Sequence, residues 1–357
     1  MKSDIYATDR RVDNCFKRLE KSSLSRHNIE LLEKFYREKM AGSQEQITIQ
    51  GNLECFKIIS HLIDFPLDQA SREDLMELVT TINRAEVHPK SETSPWTLLD
   101  YKRALKNFYK WFYDSEDPQV IEFMSVYIPD SKKPRVEPEE LLSVRDAERM
   151  INSALNPRDK ALFGLLWDTG ARISEILNLD VRDIDFQDEL MGVNIRHGKV
   201  GPRKLYTVES IPLVKNWLRE HPSRDPEDPL FTILQSSHAA DGIRRQSYRS
   251  AAQQLNSAAS RTCIVEKKRW NPHGWRRARA TDMARKGMNQ PSMCQFFGWV
   301  RGSQVPKYYI RLAQRDLERS IRNLYPGLDP LEDDGPRYLG ENIPLYDQTD
   351  LRAYQET

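Results

Sequence analysis

The sequence predicts an α+β fold that is mostly helical, in two domains joined by a stiff linker. Apolar residues recur at helical spacing through residues 1–128, which indicates a helical N-terminal domain. Residues 129–138 (PDSKKPRVEP) hold three prolines and three basic residues, a composition typical of an extended linker. Residues 139–325 combine helical patterns with one alternating stretch, which predicts a mixed domain with a small antiparallel sheet.

The N-terminal domain is predicted to contain four helices. Their segments are SRHNIELLEKFYREKM, QITIQGNLECFKIISHLID, SREDLMELVTTINRA and SPWTLLDYKRALKNFYKWFYD. The third opens with Ser71 and has Asp74 three residues later, as in a capping box. The fourth has an apolar stripe at alternating spacings of three and four, made of Leu98, Tyr101, Leu105, Phe108 and Phe112.

A basic row lies on another side of the fourth helix. It consists of Lys102, Lys106 and Lys110, which recur every four residues, with Arg103 beside them. Such a row is either a solvated surface or a ridge that neutralises DNA phosphates, and the pattern alone favours neither.

The C-terminal domain is predicted to have capped helices on both sides of a β-hairpin. Asn156 and Pro157 begin the helix in NPRDKALFGLLWDTG, and Asn271 and Pro272 begin that in NPHGWRRARATDMARKG. Between them, MGVNIRHGKVGPRKLYTV alternates, turns through residues 198–202 and alternates again. Further helical patterns are SVRDAERMINSAL, IPLVKNWLREH, RRQSYRSAAQQLNSAASR and QRDLERSIRNLY.

The charge is unevenly distributed along the chain. Residues 331–357 hold seven acidic residues and two arginines, a balance of −5, so the total of +1 leaves +6 on residues 1–330. A mildly basic body suits a nucleic-acid partner. Residues 326–357 are expected to form an acidic, flexible tail.

Several classes of protein are disfavoured by composition. The four cysteines are isolated, which is typical of free thiols in a reducing compartment and predicts a cytoplasmic protein. The opening MKSDIYATDRR has no apolar run, and no stretch approaches the roughly 18 apolar residues of a membrane span, so neither a secretory signal nor a membrane is expected. Phosphate-binding glycine loops and HExxH are missing, and the clustered carboxylates Glu332, Asp333 and Asp334 lie in the predicted flexible tail, so we expect no metal and no cofactor.

Two motifs offer groups that could act on a phosphate. In DTGARISEILNL, Gly170 permits a tight turn, and Arg172 and Glu175 share a helix face; an ordinary surface ion pair gives the same pattern. In NPHGWRRARATD, His273 and Arg276 lie one turn apart at a helix N-terminus, where anions bind. A capping histidine beside an exposed arginine is the plainer alternative.

Lys199 lies in the turn of the predicted hairpin. It is either a solvated loop lysine or a mobile ammonium group that can reach a leaving oxygen. Each motif alone is weak, and only their order and spacing are specific.

Five stretches follow one another in the second domain: TGARISEIL, HGKVGPRKLYTV, PHxxR, FFGW and YYIR. With this order and spacing, the chain resembles the tyrosine recombinases of the phage-integrase family over about residues 140–325. Some of these sequence motifs are shared with archaeal integrases and Xer-like recombinases. The resemblance implies a core-binding (SAM-like) N-terminal domain and a catalytic C-terminal domain. It also implies a site-specific recombinase or integrase that breaks and rejoins DNA through a covalent 3′-phosphotyrosyl intermediate, without metal or ATP.

The resemblance assigns roles to most of these residues. Arg172 and Arg276 grip the non-bridging oxygens of the scissile phosphate, and Glu175 braces the first of them. Lys199 protonates the leaving 5′ oxygen, and His273 assists proton transfer from the nucleophile.

The resemblance implies that one of two adjacent tyrosines is the nucleophile. Trp299 stands where many members have a second histidine, and Arg277 replaces a histidine outside the catalytic set. Members that place the nucleophile nine residues after the position of Trp299 imply Tyr308, and those with a spacing of ten imply Tyr309. The sequence pattern GWxxGSxxPxxY and the residues IRLA that follow it favour Tyr309 as the nucleophile.

The implied partners are double-stranded DNA with inverted half-sites and further copies of the chain, two on each site and four in the synapse. Two alternatives remain open at this point. A type IB topoisomerase-like enzyme would use the same residues to relax DNA, and a catalytically silent relative would only bind DNA.

Overall fold

The chain divides into two compact units. The computed structural model describes residues 5–6, 8–42, 45–84, 87, 93–113, 140–198, 200–234, 243–264 and 268–313. One unit is Ala7–Arg135, and the other is Val136–Thr357 together with Met1–Tyr6. Ile5 and Tyr6 thus depart from their predicted place in the helical domain, because Ile5 is buried in the core of the second unit and Tyr6 packs against that core. The predicted linker (129–138) and acidic tail (326–357) lie outside the described residues.

The first unit, as far as it is described, contains five α-helices where four were predicted. They are α1 (Thr8–Leu19), α2 (Arg26–Ala41), α3 (Gln46–Ile59), α4 (Arg72–Asn83) and α5 (Pro95–Phe112). The additional helix is α1. Its buried apolar side chains are Val12, Cys15 and Leu19. Three such positions among many charged residues make too short a pattern to predict a helix.

The core of the first unit forms around α5. The predicted apolar stripe is confirmed, since Tyr101, Leu105 and Phe108 are buried and Leu98 and Phe112 pack against them. The capping box of α4 is also confirmed: Asp74 N donates to Ser71 Oγ at 3.1 Å, and Ser71 N donates to Asp74 Oδ2 at 2.8 Å.

The second unit combines helices with a small sheet. The α-helices among its described residues are α6 (Val144–Asn152), α7 (Pro157–Thr169), α8 (Ile173–Leu177), α9 (Ile211–Glu220), α10 (Tyr248–Arg261), α11 (Pro272–Arg285), α12 (Gln290–Phe297) and α13 (Val305–Ala313). Its strands are β1 (Ile184–Phe186), β2 (Met191–Ile195) and β3 (Arg203–Thr207). They form an antiparallel sheet in the order β1-β2-β3, with Val193 opposite both Ile184 and Leu205. The predicted hairpin is therefore β2–β3, and β1 is an added edge strand.

Helix α7 is central to the second core. From Ala161 to Thr169 every residue is buried. Trp167 and Phe163 contact Trp275 of α11, with ring centroids 6.4 and 6.0 Å apart. This packing holds the end of α7, and the chain that follows it, against α11.

Candidate active site

A glycine turn brings Arg172 into position. Helix α7 ends at Thr169, and Gly170 after it has φ +52°. A Cβ on Gly170 would clash with Phe297 Cε1, so only glycine fits on both counts. Two residues later, Arg172 caps α8. Its backbone N donates to Glu175 Oε2 at 2.8 Å, and its Nη1 donates to Oε1 at 3.1 Å. Glu175 is buried, so this is not the surface ion pair that was the alternative.

Arg276, on helix α11, is buried beside this turn. Its Nη1 donates to the carbonyl of Gly170 at 2.9 Å, and its Nη2 donates to that of Phe297. Its guanidinium carbon lies 5.4 Å from the ring centroids of Phe297 and Trp299. Burial, and then the charge of Arg172, lower the pKa of Arg276 to about 10. A buried cation with neutral acceptors and a like charge nearby is well suited to bind an anion.

His273 lies at the N-terminus of α11, one turn before Arg276. Asn271 caps this helix, as predicted, by accepting from the backbone N of Gly274. His273 is exposed, yet partial desolvation lowers its pKa, and the charges of Arg277, Arg276 and Arg172 act in the same direction. The ring therefore stays neutral to a lower pH than an ordinary histidine and can accept a proton.

The two tyrosines occupy different environments. Tyr309 is 8% exposed, whereas Tyr308 is 43% exposed. Tyr309 stacks on Trp299 with ring centroids 5.5 Å apart and planes 6° apart. Burial raises the pKa of Tyr309, and the charge of Arg277 is the first of the effects that oppose it, followed by that of Arg276. The buried tyrosine is thus the one beside the arginines.

Trp299 joins the aromatic side chains of this region. Its ring stacks on Phe297 as well as on Tyr309, with 4.9 Å between the ring centroids of Trp299 and Phe297. Gly298 between them has φ +58°, which turns the chain out of α12. The structure thus brings together five predicted site residues: Arg172, His273, Arg276, Trp299 and Tyr309.

Lys199 falls outside the described residues. The next lysine along the hairpin, Lys204, lies within them and is bound elsewhere: its Nζ donates to Asp185 Oδ2 of β1 at 2.7 Å. Adjacent residues of a strand point to opposite faces, and Arg203 is the neighbour that reaches Glu175. Lys204 therefore faces away from the arginines.

A buried ionic cluster behind the site was not predicted from the sequence. Arg279 is 2% exposed and donates to Asp168 at 3.0 Å, Glu209 at 3.0 Å and Asp282 at 2.9 Å. It follows Arg276 by three residues on α11, and Asp168 lies near the end of α7. The cluster ties together the two helices whose ends carry the site. No apolar periodicity or capping pattern signals it.

The basic row of α5 needs one correction. Lys102 is 7% exposed, and its Nζ donates to Asn83 Oδ1 of α4 at 3.0 Å. Desolvation lowers its pKa. Lys106 and Lys110 are half-buried and Arg103 is exposed. A DNA-facing role for Lys102 is therefore disfavoured, because its ammonium group is covered by a neighbouring helix, and the role remains a proposal for the other three.

Salt dependence separates these residues. Replacing Arg103 and Lys106 together by alanine is expected to weaken binding to all DNA sequences alike and to reduce the slope of log affinity against log salt by about two. Lys102→Ala is the matched control. It is expected to keep the slope and to lower the melting temperature, since a buried hydrogen bond is lost. An unchanged slope in the double variant would assign the row to solvated surface.

In the described part of the chain, no helix is both long enough and apolar enough to cross a membrane. No group of three or more histidine, cysteine, aspartate or glutamate side chains there is arranged to hold a metal ion.

Comparison with known proteins assigns the family. The model of the phage integrase family matches residues 136–315, half of the chain. This protein is a member of the phage integrase family. The residues matched by this integrase family model include Arg172, His273, Arg276, Trp299 and Tyr309 of the site, and also Lys199.

Individual relatives of this integrase family member are distant. A probable integrase/recombinase protein of Methanocaldococcus jannaschii is 24% identical over 75% of this chain and 82% of its own. The tyrosine recombinase XerC of Bacillus subtilis is 26% identical over 62% of this chain and 72% of its own. Among solved structures, the Tn1549 transposon integrase in complex with transposon right end DNA has a TM-score of 0.58 at 18% identity, covering 82% of this chain and 98% of that one. At that identity the likeness shows the fold.

Proposed function

We propose that this chain is a site-specific tyrosine recombinase or integrase whose nucleophile is Tyr309. One observation carries the proposal: the buried Tyr309 lies beside Arg276, which in turn lies near Arg172, at a place that has a surplus of positive charge. Arg276 has neutral carbonyls as its hydrogen-bond acceptors, and Arg172 shares its carboxylate with another arginine. A scissile phosphate supplies the missing negative charge.

The proposed chemistry is a transfer of the phosphoryl group to tyrosine. Tyr309 Oη attacks phosphorus, the bond from phosphorus to the 5′ oxygen breaks, and a 3′-phosphotyrosyl link forms. His273 accepts the phenolic proton, and Lys199 gives a proton to the leaving 5′ oxygen. Arg172 and Arg276 hold the non-bridging oxygens while charge builds up on them. The new ester retains the energy of the broken bond, and reversal of the same steps rejoins DNA.

The raised pKa of Tyr309 fits an attack that is coupled to proton transfer. At pH 7 the phenol is neutral, so it must lose its proton as it reacts. His273 is neutral at that pH and can take the proton, whereas a protonated imidazole cannot. The arginines that lower the pKa of His273 thus also keep the base available.

A pH profile tests this assignment of the base. The rate of adduct formation is expected to fall only below pH 6.5, the ordinary pKa of histidine, because the pKa of His273 is depressed. Arg277→Gln removes one charge that depresses it, so the acid limb should move to higher pH. Arg285→Gln, at the far end of α11, should leave the limb in place. Equal profiles for all three proteins would show that His273 does not set the limb.

For the assembly, we propose double-stranded DNA with inverted half-sites, one protomer on each half-site and four protomers in the synapse, acting in the cytoplasm. The helical unit, residues 7–135, would contribute the core-binding domain. Support comes from relatives that are recombinases and from solved family structures that contain DNA.

Trapping and topology assays test the function. On a nicked suicide substrate, with its site located by footprinting the DNA that flanks the gene, the protein should form a covalent adduct. On a plasmid with two such sites it should exchange strands. Relaxation of plasmids without any site would instead favour a type IB topoisomerase-like enzyme. DNA binding without any adduct would indicate a catalytically silent relative.

A further inference from the structure

Arg203, at the start of β3, is a nearly buried arginine that none of the roles above uses. Its side chain is 9% exposed. Nη1 and Nη2 donate to the two oxygens of Glu175 at 3.1 and 2.8 Å, and Nε donates to the carbonyl of Phe296 at 3.2 Å. Its guanidinium thus binds the carboxylate through both oxygens, the geometry in which arginine and carboxylate interact most strongly.

Two glycines leave room for this guanidinium. A Cβ at Gly298 would lie 2.8 Å from Arg203 Cζ, and a Cβ at Gly198 would lie 2.9 Å from Nη1. Gly198 precedes Lys199 in the hairpin, and Gly298 precedes Trp299. The guanidinium therefore lies against the backbone of two turns that carry site residues, and this contact fixes its position.

Glu175 binds two arginines, and it binds Arg203 through more side-chain hydrogen bonds than it binds Arg172. Arg203 holds both carboxylate oxygens, whereas the side chain of Arg172 holds only Oε1, at 3.1 Å, and is 27% exposed. Burial opposes ionisation of Glu175, but the hydrogen bond and charge of Arg203, followed by those of Arg172, lower its pKa below the usual value. Two cations and one anion leave this triad with a net charge of +1.

The charge balance shows what Arg203 contributes. Without it, Glu175 would remain buried with Arg172 as its charged partner. The pair would be neutral, and the guanidinium of Arg172 would be drawn toward Glu175 because a buried carboxylate without a partner is costly. Less positive charge would then face the phosphate.

We infer that Arg203 is a positioning residue for the recombination reaction: by occupying the carboxylate of Glu175, it leaves Arg172 with a net positive charge for the scissile phosphate. The inference rests on the proposed function, since the phosphate is the group that Arg172 serves. Arg203 acts through Glu175 and Arg172 rather than on the DNA.

A charge-compensation experiment tests this. In Arg203→Gln the triad becomes neutral, and adduct formation on the suicide substrate should slow by about 10–100-fold, with DNA affinity within about threefold of wild type. The double variant Arg203→Gln with Glu175→Gln restores the charge to +1, so it should form adduct faster than Arg203→Gln alone. Arg203→Lys keeps the charge with a poorer fit and should fall between wild type and Arg203→Gln.

Lys204→Gln is the matched control. It removes the adjacent cation of β3 and its ion pair with Asp185, on the other face of the sheet, and should keep the rate within about twofold. The inference is overturned if Arg203→Gln keeps the wild-type rate, or if the double variant is no faster than Arg203→Gln alone, as expected of a purely structural role. Should Arg203→Gln not fold, a rate for Arg203→Lys equal to wild type overturns it as well. A wild-type protein that forms no adduct refutes the proposed function instead.

Discussion

Tyr309→Phe is expected to abolish the covalent protein–DNA adduct while DNA binding stays within about twofold of wild type. The substitution removes only the hydroxyl oxygen. The ring remains available to stack on Trp299, from whose centroid it lies 5.5 Å. Because Tyr309 is the tyrosine beside Arg276 and Arg277, we expect no other hydroxyl of α13 to take over the attack. Gel electrophoresis of the denatured reaction on the suicide substrate measures the adduct.

Tyr308→Phe is the matched control. Adjacent side chains on a helix differ by about 100° in direction, so both tyrosines cannot approach one phosphate. Tyr308 is 43% exposed, and its loss of a hydroxyl should leave adduct formation in place. Peptide mapping of the wild-type adduct should find the DNA on Tyr309. An adduct on Tyr308 would mean that the nine-residue spacing from Trp299 applies in this chain.

Arg172→Lys is expected to slow adduct formation by about 100-fold or more and to change DNA affinity by only a few-fold. Lysine keeps the charge but cannot donate to Glu175 and to a phosphate oxygen with one planar group. The interaction lost is one that strengthens as charge builds up on the phosphate, so the rate should suffer more than binding. Single-turnover kinetics at saturating protein measures the rate, and a gel-shift titration measures affinity.

Arg182→Lys provides the comparison for Arg172→Lys. Arg182 is an exposed arginine of the same unit that also pairs with carboxylates, those of Asp180 and Glu227, but it lies outside the site. Its replacement should leave the rate of adduct formation and the DNA affinity unchanged. Equal losses of rate and affinity in Arg172→Lys would make Arg172 a residue for DNA affinity alone.

The sequence predicted the parts of the site that local rules govern. Asn271 and Pro272 mark the start of α11, Gly170 marks the turn after α7, and both fix where Arg276 and Arg172 lie. These signals are readable because caps and left-handed turns restrict the residue types allowed at one position. The resemblance to a known family supplied the order of the remaining residues.

Tertiary partners could not be predicted in the same way. Arg203 looks like an ordinary hairpin residue until β3 is placed beside Glu175, which precedes it by 28 residues. Periodicity placed Lys102 in an exposed row, but α4 covers it with Asn83. In each case the deciding neighbour comes from another element, and hydrophobic spacing contains no information about polar partners across the core.

The stacked rings of Phe297, Trp299 and Tyr309 also affect how readily Tyr309 attacks a phosphate that is not correctly bound. An aromatic pair of this kind is worth about 0.5–1.5 kcal/mol beyond its buried area. Any movement of the phenol that breaks its stack on Trp299 must first overcome that preference, which slows the step about 2–13-fold. The stack is therefore too weak to block catalysis. It is strong enough to favour the stacked position of the Tyr309 phenol when no phosphate is held by the arginines.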